Sequence, residues 1–166
     1  MKKLKNAILV STLLMFAACS NSSNPFSSSS NDTFSGNNMG DVSNPTSPAY
    51  FQQAIGDRVF FAIDQSSLSP EGMDLLNSQA TWLMTNGDYE IIVEGHADEQ
   101  GTRDYNVALG ARRANSVKEY LNSLGVAASR IQTVSYGKER PIEICSKESC
   151  YSVNRRAVTV LSNLGS

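Results

Sequence analysis

Asp98 and Arg113 are the two residues whose types and placement most suggest chemistry. Asp98 opens the polar segment Asp98-Glu99-Gln100-Gly101-Thr102 just after the apolar run Ile91-Ile92-Val93, and Arg113 follows fifteen residues later. Read as strand, tight loop and helix, this order puts the aspartate at the strand exit, where a loop side chain can face a ligand. The arginine then lies two to three turns into the helix. If the loop folds back over the helix the two side chains converge, with the amides of the helix N-terminus close by. A carboxylate can take an ammonium and a guanidinium can take a carboxylate as a two-pronged fork, so the pair suits a zwitterion. The spacing alone fits a surface ion pair or a solvated helix face equally well.

His96 is the only histidine, and it neighbours Asp98 and Glu99. One histidine cannot build the multi-histidine sphere typical of catalytic zinc, and no G-x-S-x-G turn is present to supply an activated serine. A structural role is expected, with His96 ordering the loop through hydrogen bonds. No metal, no cofactor and no catalytic residue is expected.

The elements that must hold Asp98 and Arg113 follow from periodicity. Arg58-Val59-Phe60-Phe61-Ala62-Ile63 reads as a buried strand. Ser69-Pro70-Glu71 supplies an N-cap, a proline at the first helical position and an acid in the first turn. The helix beyond it carries Met73, Leu76, Ala80, Leu83 and Met84, with Trp82 in the core, and stops at Asn86-Gly87. Tyr89 to Gly95 is a second strand. A long helix from about Asp104 to Leu124, capped by Thr102, has Tyr105, Leu109, Ala114, Val117, Leu121 and Leu124 as its apolar stripe. Ile131 to Tyr136 and Ala157 to Leu161 are further strands. The order β-α-β-α-β-β predicts an α+β fold, a mixed sheet with helices packed on one face.

The chain has 166 residues, room for one modest domain. A net charge of -2 and a pI of about 5.4 argue against nucleic acid or an anionic membrane surface as partner. Lys2, Lys3 and Lys5 precede an apolar run from Ala7 to Ala18, broken only by Ser11 and Thr12. A membrane-crossing helix needs about 20 apolar residues, so residues 1–18 read as an export signal. The ending Ala17-Ala18-Cys19 resembles the lipobox of bacterial lipoproteins, which implies cleavage before Cys19 and its acylation. Phe16 stands where that pattern usually has leucine, and an ordinary signal with an incidental cysteine is the alternative. By the same resemblance Ser20 favours the outer membrane over the inner one. Residues 19–48 then form the lipidated N-terminus and a Ser/Asn-rich tether too poor in apolar groups to fold, and residues 49–166 form the domain. In an exported protein Cys145 and Cys150 favour a disulfide over a metal-binding pair. Arg155 and Arg156 fit either contact with the cell wall or a solvated strand edge.

The stretch Val93-Glu94-Gly95-His96-Ala97-Asp98-Glu99, followed by Gly101-Thr102 and Tyr105-Asn106, resembles the signature of OmpA-like peptidoglycan-binding domains. So do Arg112-Arg113-Ala114-Asn115, Ser135-Tyr136-Gly137-Lys138-Glu139 and Asn154-Arg155-Arg156-Ala157, and the wording is nearest to the peptidoglycan-associated lipoproteins. The likeness runs from about residue 55 to 162. It implies a non-enzymatic tether between the outer membrane and the cell wall, with the domain in the periplasm, recognising the diaminopimelate residue of stem peptides. Asp98 and Arg113 would hold the amino-acid head, with lesser roles for Phe61 and Ala62 in the first strand and for Thr102, Asn106 and Leu109 along the cleft. Ala62, Ile63 and Gln65-Ser66-Ser67 depart from the family wording. The resemblance also implies the Tol proteins, TolB among them, as partners. A wall hydrolase and a surface adhesin are the competing classes. If Asp98 and Arg113 act only on a ligand, replacing either with alanine abolishes binding and leaves the thermal melt nearly unchanged.

Overall fold

The computed structural model describes residues 40–163; the export signal, Cys19 and the tether through residue 39 lie outside the described residues. Helix α1 (Pro48–Tyr50) runs into one wider turn at Phe51–Gly56, and β1 (Arg58–Phe60), α2 (Pro70–Thr85), β2 (Tyr89–His96) and α3 (Arg103–Ser123) follow. A short 3₁₀ turn leads into β3 (Ile131–Gly137), then come α4 (Glu148–Asn154) and β4 (Arg156–Asn163). The sheet order is β1-β4-β2-β3, with β4 antiparallel to both neighbours and β2 parallel to β3. The parallel pair needs a crossover, and α3 supplies it.

Each long helix starts where the sequence caps it. Ser69 Oγ accepts from the Gly72 amide at 3.1 Å and Thr102 Oγ1 from the Tyr105 amide at 3.3 Å. Alternation along β2 turns Ile91 and Val93 toward the helices. There they meet Val59, Ile131 and Ala157 from the other strands, Leu76, Ala80 and Leu83 from α2, and Ala114, Val117 and Leu121 from α3. Burying each of the larger aliphatic side chains contributes about 1.5–3 kcal/mol.

A pair of glycines sets the closest approach of helix to sheet. A Cβ on Gly95 would lie 1.8 Å from the Gly110 carbonyl oxygen, and one on Gly110 would lie 2.4 Å from Ser135 Oγ. Only at that distance does α3 carry Arg113, one turn beyond Gly110, over the exit of β2, where Asp98 sits.

Four details differ from the sequence reading. First, β1 ends at Phe60, because the Arg155 amide opposite Phe61 turns away to the Tyr151 carbonyl at the end of α4 and leaves the ladder half-made. The Phe61 amide donates to the Arg155 carbonyl, and the Phe61, Ala62 and Gln65 carbonyls accept from arginine side chains. Second, a short helix, α4, interrupts the connection between the last two strands. Third, Met84 and Tyr105 are exposed, and Gln79 takes a buried place by donating to the Gly56 carbonyl and accepting from Thr159 Oγ1. Fourth, residues 41–48, assigned to the tether, fold onto the domain. Trp82 is buried against Phe51 and Tyr89, and its indole N–H needs an acceptor. It finds one at 2.7 Å in the Pro45 carbonyl. Ser47, itself buried, caps α1 through the Tyr50 amide.

Candidate functional site

A cleft of about 260 Å³ opens where the β2 exit, the start of α3 and the loop after β1 meet. Ile63, Asp64, Asp98, Gln100, Gly101, Tyr105, Asn106, Leu109 and Arg113 line it. Four residues expected from the sequence therefore come together: Asp98, Asn106, Leu109 and Arg113.

Arg113 is fully buried and forms no ion pair with any carboxylate among the described residues. Its Nε donates to the Gln65 carbonyl at 2.8 Å, Nη1 to the His96 carbonyl at 2.7 Å and Nη2 to the Ala62 carbonyl at 3.2 Å. The guanidinium also lies over the Phe61 ring, 5.2 Å from its centroid. Burial pushes its pKa down to about 10, with Asp98 opposing the shift and Arg155 adding to it, so it remains a cation at neutral pH. A guanidinium has five N–H donors. Three are spent on backbone, and the remaining two are uncommitted among the described residues.

Asp98 is held from two sides. Oδ1 accepts from the Gln100 amide and Oδ2 from Arg155 Nη1, both at 3.1 Å. Further bonds fix the loop that carries it. Asn106 Nδ2 donates to the Gln100 carbonyl at 2.8 Å, and Lys138 Nζ donates to the Gly101 carbonyl at 2.7 Å. Gly101 turns the chain at φ +89°, a conformation suited to glycine. A carboxylate with lone pairs to spare and a guanidinium with donors to spare thus face one small cleft.

The remaining expected residues lie elsewhere. Thr102 is exposed and caps α3 instead of lining the cleft. Phe61 sits beneath Arg113 as packing, and Ala62 presents only its carbonyl. His96 is structural through its backbone and its packing. The carbonyl receives Arg113, while neither ring nitrogen has a hydrogen-bond partner, contrary to the loop-ordering bonds expected. Burial, then Arg156, Arg140 and Arg58, drives its pKa down to about 4, so the ring is neutral at neutral pH. Cys145 and Cys150 are joined as a disulfide with Cα atoms 5.8 Å apart.

Sequence reasoning missed the places of Asp64 and Tyr105 at the cleft and of Arg155 beside Asp98. Asp64, at φ +55°, accepts from the Tyr105 hydroxyl across the cleft mouth. Arg155 is not a solvated strand-edge residue. It is buried, donating to the Phe61 carbonyl, to Asp98 and to Glu148. Burial works against its charge, but the bonds to Glu148 and Asp98 win and raise its pKa. Arg156 is also buried, donating to the Asn154 and Arg140 carbonyls at 3.3 and 3.1 Å.

Residues 60–155, a span that includes the whole cleft, match the model of the OmpA family. The chain belongs to the OmpA family. Among its OmpA-family relatives, the peptidoglycan-associated lipoprotein of Mesorhizobium japonicum is 46% identical over 98% of this chain and 95% of its own. The protein of the same name from Pasteurella multocida is 37% identical over 95% of this chain and 98% of its own. The crystal structure of the peptidoglycan-associated lipoprotein from Burkholderia pseudomallei superposes with a TM-score of 0.65 at 34% identity, over 73% of this chain and 98% of that one. The C-terminal domain of Helicobacter pylori MotB, at 22% identity and a TM-score of 0.61, shares the fold.

Proposed function

We propose that this OmpA-family chain binds peptidoglycan non-covalently by gripping the zwitterionic head of a diaminopimelate residue between Asp98 and Arg113. The observation that carries this reading is the buried guanidinium, unpaired with any carboxylate among the described residues, facing the Asp98 carboxylate across a cleft of about 260 Å³. A buried cation without an ionic partner is costly, and a ligand carboxylate relieves that cost. The ligand's ammonium then meets Asp98 and the rim carboxylate Asp64. The cleft is small, so it suits one amino-acid head and not a folded partner.

The relatives named peptidoglycan-associated lipoproteins support the same ligand class. With Cys19 acylated in the outer membrane, the chain tethers that membrane to the wall from the periplasmic side, with the Tol proteins, TolB among them, as its partners. The function is binding and not hydrolysis: His96 is buried and neutral, hydrogen-bonded to no nucleophile. Sedimentation of the full chain in detergent with purified sacculi tests the reading. Wild type pellets with the sacculi and Asp98→Asn stays in the supernatant, with no soluble muropeptide released by either. Equal pelleting of the two proteins overturns the assignment.

A further inference from the structure

The grip on Asp98 leads into a part of the molecule the binding reading does not use. Arg155 Nη1 reaches Asp98 Oδ2 at 3.1 Å and Glu148 Oε2 at 3.4 Å, and its Nη2 donates to Glu148 Oε1. Glu148 belongs to the six-residue ring closed by Cys145 and Cys150. The same segment clasps the neighbour of Asp98: Ser146 Oγ and Tyr151 Oη both donate to Glu99 Oε1 at 2.9 Å. Two side-chain links therefore run from the disulfide segment to the loop that carries the Asp98 carboxylate.

We propose that Glu148 and Arg155 are positioning residues for the Asp98 carboxylate, and that the Cys145–Cys150 bridge, which holds Glu148 in place, makes ligand retention redox-dependent. This rests on the zwitterion reading above and names its regulation. With Glu148 present, one guanidinium is shared between two carboxylates, so the group of three carries one net negative charge toward the ligand ammonium. With Glu148 neutralised or released, Arg155 pairs with Asp98 alone. The net charge of that group falls to zero and the pull on the ammonium weakens, with Asp64 still at the rim.

The bridge is open to chemistry, because Cys145 is only half-buried while Cys150 is buried. A thiolate of a dithiol attacks one sulfur, and the resulting mixed disulfide is resolved by the second thiol of the reagent. Two electrons and two protons pass to the cysteines, leaving two thiols, and the dithiol closes to its own cyclic disulfide.

The test uses the full chain in detergent, oxidised or reduced with dithiothreitol, with ligands added during observation of amide resonances. The probes are meso-diaminopimelate, which carries ammonium groups, and pimelate, the dicarboxylate that lacks them. Glu148→Gln and reduction each weaken diaminopimelate binding by about three- to tenfold, the scale of one screened charge, and leave pimelate unchanged or tightened. Glu148→Asp and reoxidation restore the wild-type value. The Gln100 amide resonance, which reports on Asp98 Oδ1, shifts on reduction even without ligand. Wild-type affinity in both Glu148→Gln and the reduced protein overturns the inference, as does parallel weakening of both probes, the mark of a merely loosened fold. Failure of oxidised wild type to bind diaminopimelate sinks the binding reading, and this inference with it.

Discussion

Replacing Arg113 by alanine does more than empty a ligand site. The side chain is fully buried and ties together three backbone carbonyls from two segments, Ala62 and Gln65 in the loop after β1 and His96 at the end of β2. The His96 carbonyl is deep enough to lose its partner outright, a cost of about 1–3 kcal/mol, whereas the two loop carbonyls reach water and cost about 0.5 kcal/mol each. Loss of the guanidinium over Phe61 adds about 0.5–1 kcal/mol. Relief from burying an unpaired cation offsets part of this. The net expectation is a loss of about 3 kcal/mol, or roughly 10 °C in melting temperature for a domain of this size. Urea titration and calorimetry of wild type and Arg113→Ala read it directly. The sequence alone suggested an unchanged melt for this variant, and the burial of Arg113 reverses that expectation. A melt within about 2 °C of wild type would show that the three carbonyl bonds do not hold in solution, and the argument for a pre-built guanidinium would fail.

Other outcomes follow from the same contacts. Asp98→Asn keeps an acceptor for the Gln100 amide, and Arg155 keeps Glu148, so unfolding free energy drops by only about 1 kcal/mol while sacculus binding disappears. Gly95→Ala pushes a Cβ to 1.8 Å from the Gly110 carbonyl; a loss above about 4 kcal/mol is expected on chemical denaturation, and a mild effect would contradict the close packing. A chain lacking residues 1–48 loses the Pro45 acceptor of Trp82 and the Ser47 cap. It should melt below one lacking residues 1–36, by about 1–3 kcal/mol in stability. His96 binds its proton less readily in the folded chain, with its pKa lowered from 6.5 to about 4. Between those values the unfolded chain holds a proton that the folded chain does not. Stability is therefore fully present above pH 6.5, falls as pH drops toward about 4, and levels off below, by at most about 3 kcal/mol. His96→Phe should flatten that window in denaturation curves taken from pH 7 to 4, since the chain has no other histidine.

Much of this architecture was legible from residue patterns. The caps at Ser69 and Thr102 and the apolar alternation in β2 are local signals, and they place both long helices and the central strand. Asp98 and Arg113 could be singled out because one follows a strand and the other lies on a helix that starts at a visible cap. What stayed hidden depends on distant partners. Arg155 reads equally as a wall contact or a solvated strand edge until Asp98, fifty-seven positions away, is seen beside it. Residues 41–48 are held by hydrogen bonds, from the Trp82 indole to the Pro45 carbonyl and through the Ser47 hydroxyl, and a count of apolar residues cannot register those. The early end of β1 has the same kind of origin, since the Arg155 amide opposite Phe61 turns away to the Tyr151 carbonyl. Tyr105 obeys helical spacing, but its ring lines the cleft, where it meets solvent and Asp64 instead of the core.

The central claim is that a buried guanidinium and a tethered carboxylate recognise both charges of one amino-acid head. Calorimetry of the full chain in detergent, with stem peptides that differ only in carrying diaminopimelate or lysine at the third position, tests it most directly. Lysine keeps the side-chain ammonium but lacks the carboxylate that Arg113 awaits. The account predicts measurable binding of the diaminopimelate peptide and at least about a tenfold loss for the lysine peptide, the equivalent of one ion-assisted contact of about 1.4 kcal/mol. Equal affinity for the two peptides would contradict it.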